Sequence, residues 1–598
     1  PLYYVSHYGG FFSIFNSDAI SNVTLIKGGF PARYGGRLSA VLDVRMKEGN
    51  KQKYQGAASI GFLSSKISFE GPIIKNKTSF IISLRRSMLD LFMSVASLIQ
   101  YKISQGFSFY DINAKINHEF SDKDKIYLSF YNGNDNFFTK TNDEEKYGYT
   151  TNNKTWWGNL ATALRWNHLY GNRLFSNFSL IYSKYQLAYK NSYDATDFVS
   201  DNRFNSFIED FGGKMDYEYN TTFNHKLRFG ANAVYRTFNP GIFSLYSKDS
   251  ANYTTDTTYG SSKIYSTELA AYIEDEFNIG RRFSANIGLH YSHYFVDNES
   301  FYSFEPRIST NLLISKTASV KASYVSMRQY LHLLTNSGVG MPTDLWVPAT
   351  RSAQPEQSYQ ATLGFAKTFY NKQFELSIET YYKTMQNLIA YSEGSSFYSG
   401  KDWQDKVEIN GIGESYGIEF LAQKKTGNAT GWIGYTLSKT TRQFDNINRG
   451  NVYNFRYDRT HDISVVFNYR ISDKWNFSST WVYSTGDAIT LAQGKYNMIN
   501  YNMDMNNTTG FNYNTQAHIY NGRNTFRVRS YHRLDIGFNY SKQKKRGKAT
   551  WNFSIYNAYN HLNPSYYQYY YDKQNNQLQL QMVTSFPFLP SVSYSFVF

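Results

Sequence analysis

Residues Asp18–Asn50 read DAISNVTLIKGGFPARYGGRLSAVLDVRMKEGN. Two short apolar-rich runs, Asn22–Lys27 and Ser39–Met46, flank a glycine-rich elbow, Gly28–Arg37. Val23 and Leu25 alternate with polar neighbours, as does the run through Val41 and Asp43, which is the spacing of strands. Between them Gly28, Gly29, Gly35 and Gly36 permit positive φ and close backbone approach, and Pro31 fixes a turn. Physics alone therefore gives a β-hairpin with an elaborate loop. Its place in the molecule depends on the rest of the chain.

Downstream of Tyr54 the chain becomes a succession of alternating segments. Gln373–Tyr382 sets Phe374, Leu376, Ile378, Thr380 and Tyr382 on one face and Gln373, Glu375, Ser377 and Glu379 on the other. Thr317–Val325 and Arg533–Ser541 alternate in the same way. Each run is about nine to eleven residues, the length a tilted strand needs to cross hydrocarbon. Strands are expected near 54–62, 65–73, 78–86, 107–119, 124–132, 157–170, 173–186, 211–220, 225–238, 265–277 and 282–294. They continue near 304–314, 317–326, 356–368, 373–385, 413–423, 429–439, 461–471, 475–484, 533–541, 550–558 and 590–598. That makes about 22, an even number, as single-chain bacterial barrels require.

Connection lengths are expected to alternate as well. Short turns such as Lys75–Lys77, Gly171-Asn172, Ser472–Lys474 and Lys542–Lys548 are interleaved with long polar, aromatic segments at 133–156, 187–210, 239–264, 327–355, 386–412, 440–460, 485–532 and 559–589. Composition agrees with a barrel. Tyr 55 and Phe 46 lift the aromatic content to 18%, high for a soluble chain. The longest apolar run, Met88–Ile99, is interrupted by Asp90, Ser94 and Ser97 and is too short for a membrane helix. A strand shows lipid only every second residue, so bulk hydropathy stays modest. The absence of cysteine excludes disulfides and thiolate metal sites. The net charge of +15 is spread through strands and turns rather than gathered on one face, which argues for a solvated lumen or acidic headgroups and against nucleic acid.

The run from Ile26 to Asp43, with Lys27-Gly28, Arg33-Tyr34-Gly35 and the Ser39–Asp43 strand in order, resembles the end of the plug domain of TonB-dependent outer-membrane receptors. Within the barrel, Phe304–Ser309, Gln354–Ser358 followed by Leu363-Gly364, and Ser415–Glu419 resemble further strands of that family, so the likeness extends over nearly the whole chain. It implies an all-β fold: a transmembrane antiparallel β-barrel of about 22 strands with the C-terminal part of a plug domain. Residues 1–50 are then plug and 51–598 barrel. The chain opens on Pro1 without a secretory signal, and the expectation is that it is trimmed, lacking the signal, any TonB box and most of the plug.

The resemblance implies a bacterial outer-membrane location, with long loops extracellular and short turns periplasmic. The implied function is import of a scarce large nutrient (metal chelate, cobalamin-like cofactor, oligosaccharide or peptide), energised through TonB by the inner-membrane proton-motive force. The alternative is a receptor-like barrel serving as a non-transporting subunit of a larger outer-membrane assembly or secretion complex. Implied partners are outer-membrane lipid and lipopolysaccharide, the TonB complex through the missing N-terminal part, the barrel assembly machinery, and a surface lipoprotein or larger complex. Nucleic acid is not among them. Lys27, Gly28, Arg33, Tyr34, Gly35, Gly36 and Arg37 belong to the retained plug elbow, with Lys27 and Arg37 expected to pair with lumen carboxylates such as Glu375, Glu379 or Glu419.

Ser326–Arg351 is the most loop-specific stretch. There Arg328, Gln329, Tyr330, Trp346 and Arg351, with Trp403 from another loop, combine stacking surface with donors and are candidate ligand or partner contacts. Trp156-Trp157 fits an interfacial aromatic girdle. The last strand, Ser591–Phe598, places Val592, Tyr594, Phe596 and Phe598 on one face, and Tyr594, Phe596 and Phe598 match the C-terminal assembly signal that the resemblance implies. No catalytic constellation, cofactor or metal site emerges. His290 and His293 fall on opposite faces of a strand, and Tyr457–Asp462 reads as a strand entry.

Overall fold

The computed structural model describes all residues except 92, 94–102, 144–147, 336–343, 396–401, 503–509, 573–576 and 585. Most of Met88–Ile99 therefore lies outside the described residues. Twenty-two antiparallel strands close into one barrel. They are β1 Gln55–Gly61, β2 Ser64–Ile74, β3 Thr78–Ser87, β4 Ile103–Glu119, β5 Asp124–Asp143, β6 Tyr149–Leu169, β7 Leu174–Ala195, β8 Phe198–Asn220, β9 His225–Asp249, β10 Ile264–Ile279 and β11 Phe283–Val296. The second half comprises β12 Glu299–Leu313, β13 Ala318–Gln329, β14 Glu356–Phe369, β15 Phe374–Tyr391, β16 Val407–Lys424, β17 Ala429–Gln443, β18 His461–Arg470, β19 Trp475–Ser484, β20 Tyr531–Lys544, β21 Gly547–Tyr556 and β22 Leu589–Val597. Every strand expected from alternation is present. Two short segments, Thr254–Gly260 and Tyr453–Asn454, pair onto strand ends without entering the count, because β9 pairs β10 and β17 pairs β18 directly.

Alternation has the expected consequence for the two faces. Along β15, Phe374, Leu376, Ile378 and Tyr382 are exposed on the outside, while Glu375, Glu379 and Lys383 turn inward. The outer row is the surface that meets hydrocarbon, and the inner row is polar.

Two sequence expectations need correction. The segments 133–156, 187–210 and 239–264 are largely strand: β7 and β8 are joined by two residues, Thr196-Asp197, and β9 runs for 25 residues. The outward positions of β7 pass from Phe178, Leu180 and Tyr182 to Lys184, Gln186 and Lys190, so an apolar-row test ends the strand early while its backbone ladder continues. Nor is the parity of connections strict. The joins at 62–63, 196–197 and 297–298 are two-residue turns at the end of the barrel that carries the long loops.

Closure is made by β22 on β1, with Ser593 opposite Gly61 and Val597 opposite Ala57. At the end of this seam Gly56 and Phe598 exchange both backbone hydrogen bonds, at 3.1 and 2.9 Å. The Phe598 ring lies where a side chain on residue 56 would stand, 2.5 Å from an ideal Cβ. Residues 1–50 add no strand to the barrel. They form two antiparallel pairs of their own, Ser6–His7 with Phe12–Ser13 and Ile20–Ile26 with Val41–Met46.

Gly56→Val should unseat Phe598 and cost about 1–3 kcal/mol of overpacking at the seam. The fraction of heat-modifiable folded barrel on a cold detergent gel should fall, and Gly56→Val with Phe598→Ala should recover part of it.

Candidate functional site

The elbow at 28–37 sits inside the barrel against the inner faces of β10–β16. Tyr34 N–H donates to the Pro31 carbonyl at 3.1 Å, closing a tight turn, and Gly36 takes φ +71°, which favours glycine. Gly35 is pressed on the wall: an ideal Cβ there would lie 2.1 Å from His290 Nε2. His290 Nδ1 donates to the Ala32 carbonyl at 2.8 Å, which fixes the tautomer and leaves Nε2 facing the glycine. The Arg33 backbone N–H and guanidinium both donate to Glu274 on β10, which is fully buried. Arg307 on β12 donates to the Pro31 carbonyl at 3.0 Å and also to the Tyr34 carbonyl, and it is held by Glu305 at 2.8 Å.

Further round the wall, Lys383 on β15 donates to the Leu38 carbonyl at 2.7 Å, and Lys27 pairs with Glu419 on β16. One small apolar patch, Phe30 and Leu38 against Val325 and Met327, sits among these polar contacts. On the short-turn side of the elbow lies a cavity of about 800 Å³. It is lined by polar groups including Asn286, Asn311, Lys321, Glu379 and Asp462.

The pairing expected of Lys27 is present, with Glu419 as partner. Glu375 instead pairs with Lys425. Arg37 departs from expectation. Its guanidinium donates to the Gly36 carbonyl at 2.7 Å and lies 5.8 and 6.0 Å from the rings of Tyr3 and Trp346. The left-handed turn at Gly36 aims it at an aromatic layer rather than at the carboxylates.

That layer fills the barrel toward the long loops, and residues 1–15 are threaded through it. Tyr3 Oη donates to buried Asp210 at 2.5 Å, and Arg236 bridges Asp210 and Glu268. His7 is clamped between two buried carboxylates, Nδ1 to Asp135 at 2.7 Å and Nε2 to Asp111 at 2.9 Å. Phe109 stacks on its ring at 4.1 Å, and Arg85 and Tyr131 also bind Asp111. Burial pushes the His7 imidazolium down, but the hydrogen bonds to Asp111 and Asp135 outweigh it and hold the group above its ordinary value of 6.5.

The loop-derived candidates fall in different parts of the mouth. Tyr330 is buried, stacked on Tyr294 at 4.7 Å and bonded to Ser292 at 2.7 Å. Trp346 lies in a small hairpin, Leu331–Leu334 with Leu345–Pro348, that folds into the barrel mouth and reaches β8 and β9; its ring meets Tyr3 edge-on at 5.5 Å. Trp403 is buried in the same layer. Arg328 and Gln329 bond to Gln357 and Glu356 on β14, and Arg351 is 87% exposed beside Glu299. Sequence reading missed the wall charges Asp111, Asp210, Glu268, Glu274 and Arg307. The signal for the acids is a carboxylate recurring at one parity within an apolar strand, as Glu268 and Glu274 do in Ile264–Ile279; Arg307 has no such signal.

The family model described as "TonB dependent receptor-like, beta-barrel" matches residues 97–582. The chain belongs to that family. It is an outer-membrane receptor barrel, and its relatives are receptors and transporters rather than enzymes. No curated protein matches it. Among solved structures the receptor resembles the ferripyoverdine receptor of Pseudomonas aeruginosa (12% identity, TM-score 0.63, covering 97% of this chain and 76% of that one). It also resembles the FrpB iron transporter from Neisseria meningitidis (13%, 0.64, 99% and 90%) and the ferric-catecholate import receptor Fiu from E. coli K12 (11%, 0.62, 97% and 86%). At such identities the likeness is one of fold.

This geometry gives two expected outcomes. Gly35→Ala in the receptor should raise hydrogen exchange of amides 28–37 by about 5- to 150-fold, the equivalent of 1–3 kcal/mol of overpacking, and His290→Ala in the same chain should restore protection. A raised His7 pKa stabilises the protonated form. Protection of amides 3–9, corrected for intrinsic exchange, should be complete below pH about 6.5 and fall as pH rises through the raised value. His7→Gln should flatten that dependence.

Proposed function

We propose that the receptor imports a scarce nutrient too large for porins, with energy delivered through TonB from the inner-membrane proton-motive force. In this reading residues 1–50 are the C-terminal part of the plug and 51–598 the barrel. The long loops face the outside and the short turns the periplasm. Lys27, Gly28, Arg33, Tyr34, Gly35, Gly36 and Arg37 seat the plug. Arg328, Gln329, Tyr330, Trp346, Arg351 and Trp403 shape the aromatic mouth that meets cargo, and Tyr594, Phe596 and Phe598 present the assembly signal. Metal chelates lead the cargo classes, since neighbours in fold include a ferripyoverdine receptor and a protein titled copper transporter OprC. Cobalamin-like cofactors, oligosaccharides and peptides rank behind them.

The observation that carries this reading is the character of the seal. The elbow is held mainly by ion pairs and by hydrogen bonds from wall side chains to its backbone: Glu274 to Arg33, Arg307 to Pro31 and Tyr34, Lys383 to Leu38, and Glu419 to Lys27. Polar groups released from such contacts are taken up by water as the elbow leaves, whereas apolar surface pulled out of a packed core costs about 25 cal/mol for every Å² exposed. A seal of this kind yields to a pull.

The cysteine-free chain allows a direct test. A Cβ on residue 29 would lie 3.1 Å from Ser323 Cβ, within a small adjustment of disulfide spacing. Cells carrying Gly29→Cys with Ser323→Cys are given labelled ferric siderophores, cobalamin, oligosaccharides and peptides. One class should accumulate in a receptor-dependent, protonophore-sensitive way, stop when the bridge is oxidised, and resume on reduction. Receptor-independent accumulation of every class, or uptake indifferent to the bridge, would overturn the import reading in favour of a structural subunit.

A further inference from the structure

We propose that Arg442 and Arg523 form a carboxylate-binding subsite in the mouth of the receptor. The inference rests on the import reading and names the chemistry of its cargo.

Three loop regions build the site. β17 ends at Gln443, and the chain turns back so that Tyr453 and Asn454 pair with Arg442 and Thr441. Phe444, Ile447 and Tyr453 pack with Leu388 of β15 into a buried apolar cluster, which makes the turn a rigid floor. The loop after β19 is bound to this floor. Arg523 N–H donates to Asn448 Oδ1 at 2.9 Å, and Asn524 Nδ2 donates to the Asn454 carbonyl at 2.9 Å. Asn524 in turn exchanges hydrogen bonds with Thr490 at 3.0 and 3.1 Å. A pocket of about 30 Å³ opens between these elements, lined by Arg442, Arg456, Arg523, Tyr453, Phe455 and Asn524 among others, and among the described residues no acidic side chain lines it.

Three neighbouring cations face acids. Arg527 binds Asp458, which also receives Lys439 at 3.7 Å, and Arg459 faces Asp487 at 3.4 Å. Arg442 and Arg523 are different. Among the described residues neither guanidinium makes a hydrogen bond or an ion pair, and the Nε atom of each is buried without a partner. The Arg442 guanidinium carbon lies over the Phe455 ring, 3.7 Å from its centre, which restrains the fork. Glu356 is the acid nearest to it in electrostatic effect, and Gln329 and His332 already engage that carboxylate.

Buried donors left unmet are costly, and the like charges converging on one pocket add repulsion. An anion relieves both. The planar guanidinium matches the two oxygens of a carboxylate, and the volume admits one small group while Tyr453 and Phe455 receive the stem that carries it. Ile433 and Leu437 are exposed on the outer face of β17, so Arg442, at even spacing from Trp432, faces the lumen. The anion therefore arrives with cargo in the lumen and not as a lipid phosphate on the outer face.

The test uses the full chain in detergent, without TonB, and citrate as probe, with its trimethyl ester and inorganic phosphate as controls, read by calorimetry. Citrate should bind and the ester should not. Arg442→Gln and Arg523→Gln should each weaken citrate at least about tenfold, Arg442→Lys should weaken it less, and Arg470→Gln, at the opposite end of the barrel, should leave it unchanged. Variants are compared only where their unfolding temperature without ligand equals that of the parent. No citrate binding, citrate binding indifferent to both substitutions, or preference for phosphate over citrate would overturn the proposal. Because no energy source is present, failure here leaves import intact. Conversely, citrate bound as described by a receptor that fails the uptake test would remove import and keep the site.

Discussion

Hydrocarbon offers a peptide backbone no hydrogen-bond partner, and the architecture of this receptor depends on that constraint. Every spanning strand must find two neighbours, so β22 returns to β1 and the sheet has no edge. A closed sheet with alternating side chains has one face for lipid and one for whatever the barrel encloses. The inner face is therefore free to carry Asp111, Asp210, Glu268, Glu274 and Arg307, charges that the outer face could not bear. Closure at the seam and polarity in the lumen are two results of the same requirement.

Those inner charges determine how the lumen is filled. A chain segment inside a polar tube adheres through ion pairs and hydrogen bonds to its backbone, and the elbow is built to present that backbone. Gly35 and Gly36 bring it against His290 and Glu268, while the carbonyls of Pro31, Ala32, Tyr34 and Leu38 turn to wall donors. The aromatic layer above is drier and tighter: Tyr294, Tyr330, Phe107 and Phe238 are almost fully enclosed there. Its polar anchors, His7 between Asp111 and Asp135 and Tyr3 on Asp210, are satisfied inside it. The segment inside the barrel thus has two grades of adhesion, firm near the loops and water-compatible near the short turns.

Much of the barrel was legible in the sequence because hydrocarbon imposes a strict code: an apolar residue at every second position for about ten residues. It marks all 22 barrel strands but not the short pairs within the loops, such as Leu331–Leu334 with Leu345–Pro348. The code ends where lipid ends, which is why alternation gives loops for the upper parts of β7, β8 and β9 although their ladders continue. Lumen partners obey no such code. Lys27 with Glu419 was within reach of reasoning from charge alone, whereas Arg37 turned elsewhere because a backbone angle at Gly36 decides its direction. Contacts between residues more than two hundred positions apart, such as Arg33 with Glu274, depend on which strand comes to stand opposite the elbow. Alternation reveals that a residue faces inward, not what it meets.

The barrel wall is uneven in height. β7, β8 and β9 run for 22, 23 and 25 residues, while β18, β19, β21 and β22 have only 9 or 10. On the tall side the rim is made of ladder-bonded sheet, in which an insertion must be matched by the neighbouring strand. On the low side it is made of loops, where added length costs only slowly growing closure entropy. Innovation in this molecule is therefore lopsided. One side of the rim acts as a fixed parapet against which the other can be rewritten, residue by residue, without disturbing a single membrane hydrogen bond.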